Sequence, residues 1–314
     1  MTTLEHGRDV LLYYERQKWD YVETYSRRTI SGFEAWYRLL SQALREAGYR
    51  VHENNYELAK RNPAFPVGLV GTPQSIPGWS LPNPALLGPC LYDNPLLNPT
   101  LMDDGRFRSY ILTCEWLKAV FEEVYGGKCV LWHAGIPMGD WPDFSDCKKT
   151  VDVLVYDKIR WGREKTVQAF LQPVLDHLRA IGRSVEVLRY GSVTHEEYRA
   201  MLRAAKTMVF LCEHETQGIA YQEALACNVP ILAWDHGWWT DPVWPAFSRF
   251  PIRASSVPLF SAQCGEKFTM IGEFPASFDA FWSKRETFRP RKFIASNVSL
   301  AKSAERYSEL YFVI

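Results

Sequence analysis

The sequence predicts an α/β protein with two lobes, each built on a parallel β-sheet that helices cover on both faces. The chain has 314 residues, which is long for one compact domain and suits two domains of about 150 residues each. In both halves, short apolar runs alternate with amphipathic stretches of helical period. The runs are almost continuously apolar, as is typical of parallel strands that are buried on both faces.

The first lobe follows this alternation from the start of the chain. Its first apolar run, Val10-Leu-Leu-Tyr-Tyr14, predicts a strand. A helix follows because apolar side chains from Trp36 to Ala47 recur every three or four residues, and Gly48 supplies a stop signal. The strands of this lobe are predicted at 10–14, 49–53, 67–70, 86–91, 110–113 and 129–132, and its helices at 33–47 and 115–125.

The second lobe repeats the pattern of strand and helix. Its strands are predicted at 151–156, 185–190, 208–212 and 229–234, and its helices at 166–181, 195–205 and 219–227. We expect Thr194 to cap the second of these helices, because a threonine side chain can accept a hydrogen bond from the first helical turn. A last helix is predicted at 299–311, where Leu300, Ala304 and Tyr307 share one face.

A stretch rich in glycine and proline, from His133 to Pro142, separates the strands and helices of the first lobe from those of the second. We therefore place the boundary between residues 135 and 148. The first lobe is expected over 1–140 and the second over 141–290, with a C-terminal helix in 291–314 that can pack back on the first lobe. We interpret His133 as a hydrogen-bonded structural residue rather than a catalyst.

Composition excludes several classes of protein. The 36 basic and 36 acidic residues leave no net charge, which argues against nucleic acid as a partner. The seven cysteines form no C-x-x-C pair, so we expect reduced thiols.

No apolar stretch reaches the roughly 18 residues that span a bilayer, and the start of the chain lacks a secretion signal. We expect a cytoplasmic protein and leave peripheral contact with a membrane open. A nicotinamide dehydrogenase is disfavoured because no G-x-G-x-x-G follows a strand.

The most informative segment follows the strand predicted at 208–212. It places Glu215 before a glycine, Gly218, at the mouth of a helix, and Glu223 inside that helix. In an open parallel sheet, ligands bind beyond the carboxyl ends of the strands, where helix N-termini offer unpaired N–H groups to anions. A glycine at the turn lets a phosphate approach the backbone, and a carboxylate on the helix can accept hydrogen bonds from a ribose diol.

These residues resemble the C-terminal lobe of retaining glycosyltransferases of the GT-B fold, especially glycosyltransferase family 4. The likeness is carried by the family's Glu-x7-Glu motif, here Glu215 to Glu223, and by the following Ala-Leu-Ala-Cys-Asn-Val-Pro, in which Asn228 replaces the usual glycine. The resemblance implies two Rossmann-like lobes with a cleft between them. It also implies transfer of a sugar from a nucleotide-sugar donor to an acceptor hydroxyl, with retention and without a metal or cofactor, as in polysaccharide or glycoconjugate biosynthesis.

The resemblance also implies roles for individual residues. Glu215 would act at the donor sugar as the catalytic carboxylate, and Glu223 would hold the ribose. Four basic residues could neutralise the diphosphate, in a segment whose spacing departs from the family's, and they are Lys158, Arg160, Arg163 and Lys165. We favour Lys158 and Lys165, and then Arg163. The remaining donor-binding candidates face the base, sugar or diphosphate, and they are Gly191, Ser192, Val193, Thr216, Gly218 and Ile219.

The first lobe shows a weaker likeness. Gly32 opens a helix where the family has a glycine pair that faces the donor phosphate, and Asp93 stands in a region where the family has a catalytic histidine. The acceptor is left open among a glycan, a lipid and a small molecule. Two other functions are also left open, a non-catalytic scaffold that binds nucleotide sugars and a nucleotide-sugar epimerase of the same fold.

Overall fold

A computed structural model describes residues 4–15, 32–89, 91–242 and 251–314. The described residues divide into two units. Unit 1 comprises those up to Pro137 together with Val298–Ile314, and unit 2 comprises Met138–Asn297. The chain therefore leaves unit 1 after Pro137 and returns to it at Val298.

Unit 1 contains a six-stranded parallel sheet in the order β2-β1-β3-β4-β5-β6. The central strands are buried because their side chains are apolar on both faces. The strands are β1 (Asp9–Glu15), β2 (Arg50–Glu53), β3 (Val67–Gly71), β4 (Ala85–Leu87), β5 (Phe107–Leu112) and β6 (Cys129–Leu131).

Helices on the two faces of this sheet enclose two apolar clusters. One cluster contains Tyr110 and Phe121, and the other contains Trp132 and Tyr307. The helices are α1 (Gly32–Glu46), α2 (Tyr56–Arg61), α3 (Glu115–Tyr125) and the C-terminal α10 (Leu300–Tyr311), with 3-10 turns at Pro73–Ser75, Pro95–Leu97, Leu101–Asp103 and Gly126–Lys128.

Helix α10 is fastened to unit 1 by hydrogen bonds from aromatic side chains. The Trp132 indole N–H donates to the Ser303 carbonyl over 2.9 Å. The Tyr311 hydroxyl donates to the Pro66 carbonyl and accepts from the Leu11 N–H over 2.8 Å. Tyr307, one turn earlier, is equally buried, but its hydroxyl has no hydrogen-bond partner among the described residues.

We predict that Tyr311→Phe lowers the free energy of unfolding by about 2 kcal/mol, because it leaves a buried N–H and a buried carbonyl without their partner. Tyr307→Phe is the matched control, and it should change stability by less than about 0.5 kcal/mol because no hydrogen bond is lost. Urea-induced unfolding of both variants measures the difference. Equal losses would contradict the hydrogen bonding described for Tyr311.

Unit 2 contains a five-stranded parallel sheet in the order β11-β10-β9-β7-β8. Its strands are β7 (Val151–Lys158), β8 (Val185–Arg189), β9 (Ala205–Cys212), β10 (Ile231–Trp234) and β11 (Gly265–Phe268). Its helices are α4 (Arg163–Thr166), a π-helical turn at Val167–Leu171, α5 (Gln172–Ala180), α6 (His195–Ala204), α7 (Ile219–Ala226), α8 (Phe274–Lys284) and α9 (Pro290–Asn297), with a 3-10 turn at Ile271–Glu273.

The structure confirms the prediction of parallel sheets and corrects several elements. The strand predicted at 86–91 is β4, which ends at Leu87 because Gly88 turns the chain with φ +94° and Pro89 has no N–H for a ladder. The elements absent from the prediction are α2, β11, α8 and α9. Thr194 caps α6 as predicted, accepting from the Glu197 N–H over 3.2 Å. Among the described residues, no helix has the length and apolarity to cross a membrane.

Candidate functional site

The strand order of unit 2 locates a candidate site without reference to any motif. Strand β7 comes first along the chain, and its neighbours β8 and β9 lie on opposite sides of it. Connections therefore leave the carboxyl ends of β7 and β9 in opposite directions, and ligands of open α/β sheets bind at such a switch point. Lys158 at the end of β7 is paired in register with Cys212 at the end of β9. The residues that follow these two strands consequently lie together.

Lys158 and Glu215 form a buried ion pair at this point. The Lys158 ammonium contacts Oε1 of Glu215, and the two side chains are only 11% and 10% exposed. The ammonium also lies 4.4 Å from the centre of the Tyr190 ring. Burial by itself would lower the pKa of Lys158, but the adjacent Glu215 carboxylate holds that pKa above its ordinary value. The Lys158 ammonium is therefore charged at neutral pH.

The turn after β9 places Glu215 and starts α7. The Glu215 N–H donates to the Ser255 carbonyl over 2.9 Å. Gly218 has φ +80°, and a Cβ on it would overlap the ring of Tyr221, so the turn requires glycine. Helix α7 then begins at Ile219, as predicted, with Glu223 buried one turn further along. Thr216 lies half-buried between Glu215 and Gly218.

The predicted diphosphate-binding residues have different environments. Arg163 makes two parallel hydrogen bonds to the buried carboxylate of Asp157, at 3.0 and 2.5 Å, and a third to the Ile159 carbonyl at 2.8 Å. Its guanidinium therefore holds the start of α4 to β7. Lys165 is exposed, and no ion pair to it is found within the described parts of the chain. Lys158 is the one of the three that contacts Glu215.

The predicted base-pocket residues form the turn that follows β8, next to β7. The Tyr190 N–H donates to the Asp157 carbonyl over 2.8 Å, which ties this turn to the end of β7. Gly191 has φ +79°, and the Ser192 hydroxyl donates to the Arg189 carbonyl over 2.7 Å. Val193 is half-buried beyond them. This turn borders the same carboxyl edge of the sheet as Lys158.

An aromatic stack flanks the ion pair. The His214 imidazole lies between the Trp161 ring, at 4.7 Å, and the Trp239 ring, at 3.9 Å, with interplanar angles of 14° and 28°. Burial lowers the pKa of His214 to about 2, and the nearby charge of Arg160 adds to the effect. The imidazole is therefore neutral at neutral pH.

This buried histidine predicts a pH dependence of stability. An unfolded histidine takes up a proton below about pH 6.5, whereas His214 in the folded protein does not do so until about pH 2. The stability contributed by His214 is thus complete above pH 6.5 and falls as the pH is lowered, by about 2 kcal/mol at pH 5. In His214→Phe, which keeps the stack, the loss of unfolding free energy between pH 8 and pH 5 should be smaller by that amount. An unchanged loss would contradict the neutral assignment.

The remaining predicted residues belong to unit 1. Gly32 is the exposed first residue of α1, and Asp93 is exposed in the segment that follows β4. His133 is hydrogen-bonded, as predicted, with Nδ1 2.9 Å from the Thr113 carbonyl, and burial lowers its pKa. Gly32 and Asp93 thus lie in different segments of this unit.

Sequence reasoning missed four residues that the structure brings to the switch point, which are Tyr190, Trp161, Glu213 and His214. Each lies within three residues of the carboxyl end of β7, β8 or β9, so the rule for open sheets could have found them. Among the described residues, no group of three or more His, Cys, Asp or Glu side chains is arranged to hold a metal ion.

Comparison with known proteins agrees with this geometry. Residues 172–256, which include α7 and the Glu215 turn, match the family described as glycosyl transferases group 1. No curated protein sequence matches the chain. Assignment to glycosyltransferase family 4 in particular stays a prediction.

Solved structures share the fold at low sequence identity. Sucrose-phosphate synthase from Thermosynechococcus elongatus aligns with a TM-score of 0.60 and 12% identity, over 97% of this chain and 98% of that one. The galactosyltransferase WaaB of the lipopolysaccharide outer core aligns with a TM-score of 0.57 and 8% identity, over 97% and 99%. S. aureus TarM, in complex with Fondaparinux, alpha-GlcNAc-glycerol and UDP, aligns with a TM-score of 0.53 and 11% identity over 81% of this chain.

The chain spans 57% of the length of TarM and 59% of the length of the GtfA/B complex chain that it matches, so these proteins extend beyond the shared part. At such identities the likeness concerns the fold, and it confirms the prediction of a GT-B architecture. The chain has the GT-B fold found in glycosyltransferases, and residues 172–256 in its second unit match group 1 of the glycosyl transferases.

Proposed function

We propose that the protein is a glycosyltransferase that binds a nucleotide sugar at the carboxyl edge of the sheet in unit 2. The observation that carries this proposal is the buried pair of Lys158 and Glu215 at the switch point, directly before the glycine that opens α7. The pair sets a cation where a diphosphate would bind and a carboxylate where sugar hydroxyls would bind. The match to the group 1 family over the same residues supports the proposal.

Each proposed role follows from ordinary chemistry. The N–H groups at the start of α7, around Gly218 and Ile219, suit an anion because they have no partner within the helix. Lys158, with Lys165 nearby in sequence, would stabilise the charge that develops on the leaving diphosphate. Glu215 would orient the donor sugar and Glu223 the ribose, by accepting hydrogen bonds from their hydroxyls. Thr216 would contribute a polar side chain beside the sugar.

The environment of Arg163 weakens one part of this assignment. Its guanidinium makes two hydrogen bonds to Asp157, within β7, and a third to the Ile159 carbonyl, whereas Lys158 contacts Glu215 in the turn before α7. We therefore assign Arg163 to the support of the loop and keep Lys158 and Lys165 as the diphosphate ligands. The base would bind at the turn formed by Gly191, Ser192 and Val193.

We propose that transfer proceeds with retention and without a metal or cofactor. The bond from the anomeric carbon to the diphosphate oxygen breaks, and a bond from that carbon to the acceptor oxygen forms. The acceptor proton passes to the departing diphosphate, which acts as the base. The roles of Gly32 and Asp93 stay predictions, and the acceptor is a glycan, a lipid or a small molecule. A cytoplasmic location and a role in polysaccharide or glycoconjugate synthesis stay predictions.

A thermal-shift panel tests the proposal. UDP, GDP, ADP and CMP sugars are each added to the protein, with UDP sugars first because UDP is bound in the TarM structure. A donor at about 100 times its dissociation constant should raise the unfolding free energy by about 2.7 kcal/mol. Release of nucleoside diphosphate on addition of acceptors, undiminished by EDTA, would then establish metal-free transfer. Protein that responds to no nucleotide sugar would contradict the proposal.

The same panel separates the two alternatives. A non-catalytic scaffold would bind the donor and release no diphosphate with any acceptor. An epimerase would convert the donor into a second nucleotide sugar when no acceptor is present. The configuration at the anomeric carbon of the product, read by NMR, tests retention.

A further inference from the structure

The turn between β7 and α4, residues 159–162, follows Lys158 directly and is attached to Glu213. The carboxylate Oε1 of Glu213 accepts two successive backbone N–H groups, from Arg160 over 2.9 Å and from Trp161 over 3.2 Å. The Glu213 side chain is 5% exposed. A buried carboxylate oxygen that accepts two N–H groups from one turn restrains the backbone of that turn, because losing either bond leaves a partly buried N–H group without this partner.

The side chain of Arg160 provides a second attachment between the same two segments. Its Nη2 donates to the His214 carbonyl, and its Nε lies 3.7 Å from Oε2 of Glu213. The guanidinium also lies 4.1 Å from the centre of the Trp161 ring, which stacks in turn on His214. Residues 160–161 are therefore joined to residues 213–214 by backbone hydrogen bonds, by charge and by stacking.

Lys158 lies directly before this attached turn. A lysine side chain has four rotatable bonds, and its charge is not confined by local geometry. The Lys158 ammonium nevertheless has one defined position, beside Glu215 and over the Tyr190 ring. The backbone on its amino side is held by the β7 ladder, and the backbone on its carboxyl side is held by Glu213.

We propose that Glu213 is a positioning residue, which fixes the turn after β7 so that the Lys158 ammonium is directed at the diphosphate of the donor. This inference rests on the proposed function, because it needs a diphosphate at the switch point. Glu213 itself would not contact the nucleotide. Glu213 would therefore affect how tightly the diphosphate binds, and it would not affect how tightly the nucleoside binds.

The test measures how much the diphosphate contributes to binding. Isothermal titration calorimetry compares UDP with uridine, GDP with guanosine and ADP with adenosine. For the base that binds, it gives the dissociation constant of the nucleoside divided by that of the nucleoside diphosphate. Lys158→Met should lower this ratio at least about tenfold, because a charge-assisted hydrogen bond is lost. Glu213→Gln keeps the size of the side chain and an acceptor oxygen but replaces the carboxylate with a neutral amide, which weakens both N–H bonds. It should therefore lower the ratio in the same direction by a smaller factor. Affinity for the nucleoside alone should not change.

The double variant decides whether Glu213 acts through Lys158. If it does, Glu213→Gln adds no further loss in a Lys158→Met background. A full, additional loss in that background would overturn the inference, and so would an unchanged ratio in Glu213→Gln alone. Asp152→Asn is the matched control, since this carboxylate also accepts a backbone N–H, from Ser184 over 3.0 Å, but at the opposite end of β7. It should leave the ratio unaltered.

Two further outcomes separate this inference from the proposed function. Wild-type protein that binds no nucleotide overturns both. Wild-type protein that binds a nucleoside diphosphate, with a ratio that Lys158→Met does not change, supports donor binding and overturns the inference. Circular dichroism shows whether Glu213→Gln folds. If it does not, Glu213→Asp takes its place in the test. Its shorter side chain cannot reach both N–H groups, so it should also lower the ratio.

Discussion

Replacing Glu215 with alanine should lower the free energy of unfolding by about 3–5 kcal/mol. The substitution leaves the Lys158 ammonium buried at 11% exposure, and breaking one side of a buried ion pair leaves a charge without compensation. Lys158→Met should destabilise the protein for the converse reason, since it leaves the Glu215 carboxylate buried. Both variants should also lose the stabilisation that a nucleotide-sugar donor gives. Urea-induced unfolding, with and without the donor found in the panel, measures both effects.

The double variant Lys158→Met/Glu215→Leu distinguishes a structural loss from a functional one. Two apolar side chains of similar volume can replace a buried ion pair with little loss, so this variant should recover most of the wild-type stability. It should still fail to respond to the donor, because both proposed ligands are absent. If the double variant loses as much unfolding free energy as the two single variants together, the assignment of Lys158 and Glu215 as a buried ion pair is wrong.

Replacing Gly265 with alanine should destabilise unit 2 by about 3–5 kcal/mol. Gly265 opens β11 with φ +144°, and a Cβ there would overlap the Ile231 carbonyl in the neighbouring strand β10. An alanine at this φ is strained, which costs about 1–3 kcal/mol. Relieving the overlap would move β11 away from β10, which also costs about 1–3 kcal/mol. Urea-induced unfolding measures the loss.

Gly272→Ala is the matched control for Gly265→Ala. Gly272 lies seven residues further along, in the 3-10 turn before α8, and a Cβ on it would meet no atom within 4 Å. Its substitution should change stability by no more than about 0.5 kcal/mol. If both variants lost the same stability, general intolerance of this region would explain the result and the steric argument would fail.

The strands of both sheets could be predicted wherever the signal was local. From Met208 to Cys212, strand β9 is a continuous apolar run whose residues are all buried, so its sequence indicates its structure directly. Strand β11 carries Glu266 and Lys267 in four residues at the edge of the sheet, and its pairing with β10 depends on contacts far apart along the chain. Helix α8 did carry a readable signal, since Phe274, Phe278 and Phe281 recur at helical spacing and all are buried.

The candidate site also has some features that the sequence could predict and others that it could not. The motif from Glu215 to Glu223 could be found because its residues are adjacent in sequence and the helix period fixes their spacing. That Lys158 faces Glu215 could not be found, because it requires the order of β7 and β9 in the sheet. The engagement of Arg163 by Asp157 was hidden for a related reason, since the direction of a side chain in a turn depends on its tertiary contacts.

The return of the chain to unit 1 at Val298 has a consequence for biosynthesis. Helix α10 covers one apolar cluster of the first sheet, yet the ribosome must add the 160 residues from Met138 to Asn297 before it makes this helix. At translation rates of about 5–20 residues per second, that interval lasts roughly 8–32 s. During this interval the apolar cluster lacks the helix that covers it, so we expect the nascent chain to bind chaperones that act during translation.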